Sequence, residues 1–102
     1  MKPVRFDDEA EEELFQAASW YEGQRESLGF EFLGEVRAAQ ARVRAAPRTF
    51  GLVTSVPAEL RARRCPVGRF PYALVFIELA DEVRVLAVAH NRRRPGYWKE
   101  RL

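Results

Sequence analysis

Tyr72-Ala73-Leu74-Val75-Phe76-Ile77-Glu78-Leu79 decides the fold, because it is apolar on both of its alternating sets of side chains. A strand with one wet face alternates apolar and polar residues, whereas a strand covered on both sides reads as a nearly continuous apolar run. The segment therefore reads as a central strand, with Tyr72, Leu74 and Phe76 on one face and Ala73, Val75, Ile77 and Leu79 on the other. Ala80-Asp81-Glu82 turns the chain, and Val83-Arg84-Val85-Leu86-Ala87-Val88-Ala89 returns as the hairpin mate. Upstream, residues 60–65 alternate with Arg61 and Arg63 on one side, as a strand with one solvated face does, and Pro66-Val67-Gly68 allows a turn into the central strand.

The first half of the chain has a different period. Val4-Arg5-Phe6 is a short alternating piece suited to an edge strand, where Pro3 is tolerated. Asp7 or Asp8 then offers an N-cap with Glu11 three residues after Asp8, and the acidic run from Asp7 to Glu13 suits the positive end of a helix dipole. Ala10, Leu14, Ala17, Ala18 and Tyr21 form one apolar stripe at helical spacing. Residues 23–29 read as a link to a second helix with Phe30, Leu33, Val36 and Val43 along its buried side. Ala46-Pro47 closes that helix, since a residue before proline is pushed out of helical geometry. Residues 47–59 read as a loop that crosses from the helices to the sheet. The predicted class is α+β, in the order β-α-α-β-β-β: an N-terminal strand, an antiparallel helical hairpin, a three-stranded antiparallel sheet and a short C-terminal segment.

At 102 residues the chain has the length of one domain, and 47% hydrophobic with 31% charged residues is enough for a core in a soluble fold. No apolar run approaches the roughly 20 residues that span a bilayer, and the N-terminus lacks a signal peptide's apolar centre, so a cytoplasmic protein is expected. A single cysteine, Cys65, and a single histidine, His90, leave no internal disulfide and too few nitrogen and sulfur ligands for zinc; no metal or cofactor is expected. Cys65 itself, without a nearby base in sequence, reads as a small strand residue.

Charge divides the chain. Residues 1–35 carry three basic against ten acidic side chains, net −7, while the remainder carries fourteen against five, net +9. Most of those cations are arginines, whose planar fork suits carboxylate and phosphate. The adjacent Arg92-Arg93-Arg94 concentrates the field, so a polyanion or an acidic protein is the implied partner. A second argument points the same way. Two helices cover one face of a small sheet, no other segment is long enough to cover the second, and a bare apolar strip of several hundred Å² marks a binding surface. An acidic chain with apolar anchors, rimmed by Arg61, Arg63, Arg84 and the run after His90, fits that strip; homodimerisation through the same face is the alternative.

The string Arg69-Phe70-Pro71-Tyr72-Ala73-Leu74-Val75-Phe76, followed by Val85-Leu86-Ala87-Val88-Ala89-His90-Asn91-Arg92-Arg93-Arg94-Pro95-Gly96-Tyr97-Trp98, resembles the RelE/ParE family of toxins from bacterial type II toxin–antitoxin systems. Glu22 after Trp20-Tyr21, Leu28-Gly29 before Phe32, Ala46-Pro47 and the arginine-bearing strand at 61–64 extend the likeness over nearly the whole chain. The resemblance implies a helical hairpin on an antiparallel sheet, a cognate acidic antitoxin, and a place in a plasmid-stabilisation type of system. It also implies one of two activities: RelE-like members cut messenger RNA on the ribosome, and ParE-like members poison DNA gyrase.

The nuclease-like members carry an arginine where this chain has Ala73, a basic pair where it has His90-Asn91, and a tyrosine matched by Tyr97. The resemblance is therefore to the ParE-like branch, acting by binding gyrase or a related target. The alternatives are a divergent ribonuclease using His90, Arg93 and Tyr97, with His90 as proton carrier, and a non-toxic remnant that only binds its partner. Candidate contacts to a target or to phosphate are Arg61, Arg63, Arg69, Arg92, Arg93, Arg94, Tyr97 and Trp98, and candidate contacts to the antitoxin are Arg61, Arg63, Arg84 and Arg92. Tyr97 and Trp98 have a second reading as closure of the core edge behind Pro95-Gly96.

Overall fold

The computed structural model describes all residues from Met1 to Leu102. It contains strand β1 (Val4–Phe6), helices α1 (Asp8–Gln24) and α2 (Leu28–Ala45), and strands β2 (Arg63–Pro66), β3 (Tyr72–Glu78) and β4 (Val83–His90), with short 3-10 turns at Pro47–Thr49, Ala58–Leu60 and Lys99–Arg101. The sheet has four strands in the order β1-β4-β3-β2. The N-terminal strand joins it by lying parallel to β4, Val4 beside Val83, while the other pairs are antiparallel. No helix is long and apolar enough to cross a membrane.

The hairpin packs on one face of the sheet. Ala10 and Ala17 of α1, and Phe32, Val36, Ala39 and Val43 of α2, meet Leu74, Phe76, Val85 and Val88 in the larger core cluster. The buried stripe of α2 runs through Phe32 rather than Phe30, which is 75% exposed: the spacing 32, 36, 39, 43 keeps one helical face, and Phe30 lies off it. The link between the helices is also shorter than expected. Gly23 lies in α1 and Gly29 in α2, and the Glu22 carboxylate closes the three-residue turn by accepting the N–H groups of Ser27 and Gly29, both at 2.9 Å. Gly29 is needed because a Cβ there would stand 2.7 Å from the Ala18 carbonyl oxygen. Asp7 occupies the N-cap position of α1 without capping it; its carboxylate is turned to Arg84 at 2.7 and 2.8 Å, so the expected capping box is absent.

The second face overturns the expectation of a bare strip. Val75, Ile77, Leu86 and Ala87 are all buried, under Val56 and Ala62 from the 50–62 segment and Trp98 from the C-terminus. The register shift between Val75 and Phe76 pairs Phe76 with Val85 and Val75 with Ala87. Leu86 is thus an inserted residue, and consecutive Leu86 and Ala87 both join the second cluster. The 50–62 segment is held to the outer edge of β2 by Val53 N–H to the Ala62 carbonyl at 2.7 Å and Arg64 N–H to the Gly51 carbonyl at 3.1 Å. Strand β2 therefore begins at Arg63, not at Leu60, and Arg61 sits outside it in the left-handed region. Gly96, at φ +80°, provides the turn that brings Tyr97 and Trp98 back onto the sheet.

Trp98 is 2% exposed and Phe76 is fully buried on the opposite side of the sheet. Replacing either by Ala is expected to cost about 3–5 kcal/mol, read as a lowered urea midpoint. A wild-type midpoint for Trp98→Ala would show that the C-terminal segment does not seal the second face.

Candidate binding groove

Closure of the second face is incomplete over the ends of β3 and β4, where a groove of about 370 Å³ lies between residues 52–55 and 93–98. Val75, Ala89 and Trp98 supply apolar lining, and Arg64, His90, Asn91, Arg93 and Arg94 supply polar atoms. Arg64 belongs to the groove because it pairs with Val75, on the face away from the helices. Arg63, one residue earlier, shares the helix-side set with Cys65 and Phe76, and its guanidinium donates to the Phe50 carbonyl at 2.7 Å. Pairing with Val75 thus gives the groove Arg64, which the sequence pattern did not single out.

Arg64, His90, Asn91 and Arg93 each have a neighbour at the groove. The Arg64 guanidinium donates to the Asn91 side-chain oxygen. His90 ends β4, its ring standing edge-on to Tyr72 at 5.0 Å, and its Nδ1 accepts the Arg92 N–H at 3.0 Å. The Arg93 guanidinium lies 3.9 Å above the Tyr97 ring, a cation–π contact that keeps its charge beside the groove. Arg92 and Arg94 are exposed.

The wall that carries Tyr97 is fixed from behind. The Tyr97 hydroxyl donates to Glu13 Oε2 at 2.7 Å, and Arg101 donates to both Glu13 oxygens at 3.0 Å. Glu13 Oε1 also accepts the Val88 N–H at 3.0 Å, and Arg101 donates to the Leu86 carbonyl at 3.0 Å. Burial pushes the Tyr97 phenol well above its ordinary pKa, and the Glu13 carboxylate adds to that rise. The bond to Glu13 raises Arg101. Neither Glu13 nor Arg101 stood out in sequence: one sat in an acidic run that reads as helix-dipole chemistry, the other in a charged tail.

The remaining candidates lie elsewhere. Arg61 and Arg63 line a separate polar hollow with Arg48 and Glu78. Arg69 pairs with Glu31 and Glu35 and stacks on Phe70 at 5.0 Å, which ties it to the helical hairpin. Arg84 is engaged inside the molecule, by Asp7 and by the Arg101 carbonyl at 2.6 Å, so it does not rim an open face. Trp98 is core, and its indole is not available for stacking on a base. Arg93, Arg94, His90 and Tyr97 are the candidates that come together. No group of metal-ligating side chains is assembled, and the Cys65 thiol is pushed up by burial.

The family model described as the ParE toxin of the type II toxin–antitoxin system parDE matches residues 4–95. A solved structure titled "Chromosomal ParDE TA system from P. aeruginosa" superposes with a TM-score of 0.75 at 14% identity, covering 88% of this chain and 96% of that one. At that identity the superposition speaks for the fold. No curated protein matches the sequence.

Tyr21, Tyr72 and Tyr97 are all the tyrosines of the chain, and burial raises each of them. The fold therefore favours the neutral phenol: this contribution is complete below the ordinary tyrosine value of about 10 and is lost as pH climbs from there through the raised values. Spectrophotometric titration is expected to show less phenolate in the folded protein at pH about 10 than the half ionisation seen in urea, with Tyr97 the last to ionise. Ordinary tyrosine midpoints in the folded protein would contradict the buried Tyr97–Glu13 bond.

Proposed function

This chain belongs to the ParE toxin family of type II toxin–antitoxin systems, and we propose that it inhibits growth by binding a cellular target, DNA gyrase or a related enzyme, until an acidic antitoxin segment occupies the cationic groove. The observation that carries this reading is the groove itself. An apolar floor at Val75 and Ala89 beneath Arg64, Arg93 and Arg94 matches a peptide whose carboxylates alternate with apolar anchors. Membership in a toxin–antitoxin family supports the existence of such a partner.

The groove suits binding better than cleavage of RNA. Cleavage needs a group that takes a proton from the 2′-hydroxyl and cations around the scissile phosphate. Tyr97 already donates its proton to Glu13 and holds it more tightly than a free phenol, so it is a poor base. Ala73 is buried without a charge, and Asn91 is engaged by Arg64. Only His90 and the arginines remain, without a second proton carrier.

Purified protein added to a gyrase supercoiling assay is expected to block supercoiling, and added to a translation system it is expected to leave messenger RNA uncut by primer extension. New cuts with normal supercoiling would overturn the binding reading in favour of the nuclease. Induction without the antitoxin is expected to arrest growth; undisturbed growth would leave a partner-binding remnant. Arg64→Ala, Arg93→Ala and Arg94→Ala combined are expected to weaken antitoxin binding by about tenfold or more with the fold intact. Unchanged affinity would mean that these arginines are solvated surface.

A further inference from the structure

The outer face of α1 carries two aromatic side chains with nothing over them. Phe15 is 56% exposed and Trp20 is 60% exposed. Glu12, Gln16 and Ser19 line the shallow depression that they flank. The Trp20 ring stands edge-on to Tyr21 at 5.2 Å, and Tyr21 in turn packs on the buried Phe32. The exposed indole is thus backed by the core, and an anchor held before binding loses less freedom on docking.

The helix that carries these aromatics bears charge of one sign, and Arg93 approaches Trp20 only on the side toward Tyr97. From Asp8 to Gln24 the helix carries six carboxylates and no lysine or arginine. Asp8, Glu9, Glu11 and Glu12 are exposed, and none of them enters an ion pair. Asp8, Glu12 and Gln16 follow one another at four-residue steps, so the free carboxylates run along the same face into the aromatic depression. We propose that this face is a second docking surface, which takes a basic, amphipathic segment of another protein, its apolar side chains over Phe15 and Trp20 and its cations on Asp8, Glu9 and Glu12.

Charge selects this occupant over the others. An acidic segment of the kind that fits the groove would meet uncompensated carboxylates here, and two copies of this chain joined through α1 would oppose two unpaired acidic rows. Phe15 and Glu12 lie on the helix side of the sheet, away from the groove, and the two surfaces adjoin only where Trp20 shares a hollow with Arg93 and Tyr97. This goes beyond the toxin reading, because it needs neither toxicity nor the antitoxin.

The test uses the full chain and a synthetic amphipathic peptide of about 20 residues, with arginines on one helical face and leucines on the other. Trp98 is buried, so Trp20 dominates the change in emission on binding. Saturable binding with a blue shift is expected, about tenfold tighter than for a scrambled peptide of the same composition or for one with Glu in place of Arg. Phe15→Ala is expected to weaken it by about fivefold or more, and Glu12→Lys likewise. The double variant Arg64→Ala with Arg94→Ala, which changes the groove and leaves Arg93 beside Trp20 in place, is expected to bind like the wild type. Equal binding of the scrambled peptide, or an unaffected Phe15→Ala protein with a native circular dichroism spectrum, would overturn the proposal. So would self-association by sedimentation that Phe15→Ala abolishes, since a second copy would then be the occupant.

Discussion

The Glu13 carboxylate joins three parts of the chain at one point: the Tyr97 hydroxyl, the Arg101 guanidinium and the Val88 N–H all donate to it from the C-terminal segment and the sheet. Both Glu13 and Arg101 are mostly buried, at 16% side-chain exposure, so each depends on the other for its charge to be tolerated there. The cluster also solves an edge problem. β1 pairs with β4 only from Val83 to Val85, and the main-chain groups of Leu86 and Val88 beyond it are met by Arg101 and Glu13 instead of by a strand. Without this attachment the turn carrying Trp98 would have little to hold it on the sheet.

The C-terminal part of the second face's cover follows from that attachment. Two strands apolar on both sides need two covers, and the helical hairpin is one of them. The other is assembled from irregular pieces: the 50–62 segment along the edge of β2, and the residues after Gly96. Where the two pieces fail to meet, a groove remains, and it opens among the arginines of the basic two-thirds of the chain. Helix α1 on the first face carries six carboxylates and no lysine or arginine, while α2 beside it carries Arg37, Arg42 and Arg44. The acidic start of the sequence thus becomes one face of α1, and an arginine-lined groove lies on the other side of the sheet.

Much of this was legible. The central hairpin declared itself through apolar residues on both alternating sets, and α1 through the spacing of Ala10, Leu14, Ala17 and Tyr21. The resemblance carried by residues 69–76 and 85–98 led to the family that the chain belongs to. What escaped has a common physical origin: it depends on contacts distant in sequence. Phe30 and Phe32 are equally apolar, and it is Phe32, in line with Val36, Ala39 and Val43, that packs against Tyr21 and Phe70. The second cover has no period to read, because it is built of loop and 3-10 turns, although Trp98 behind Gly96 was its one signal. Arg64 and not Arg63 faces the groove because the set that holds Arg63 also holds buried Cys65 and turns toward the helices. Glu13 cannot be told from its acidic neighbours until Arg101, 88 residues away, is seen beside it.

An isolated chain that covers its sheet on both sides, but for the groove, should protect that sheet without help. Native-state amide hydrogen exchange, followed at Val75, Ile77, Ala87 and Val88 in the purified protein alone, tests this most directly. These amides are expected to be among the slowest in the molecule, opening only with global unfolding and responding to urea with its full slope. Rapid exchange there by a local opening, slowed only when a partner is added, would mean that the second face is not closed by the chain itself.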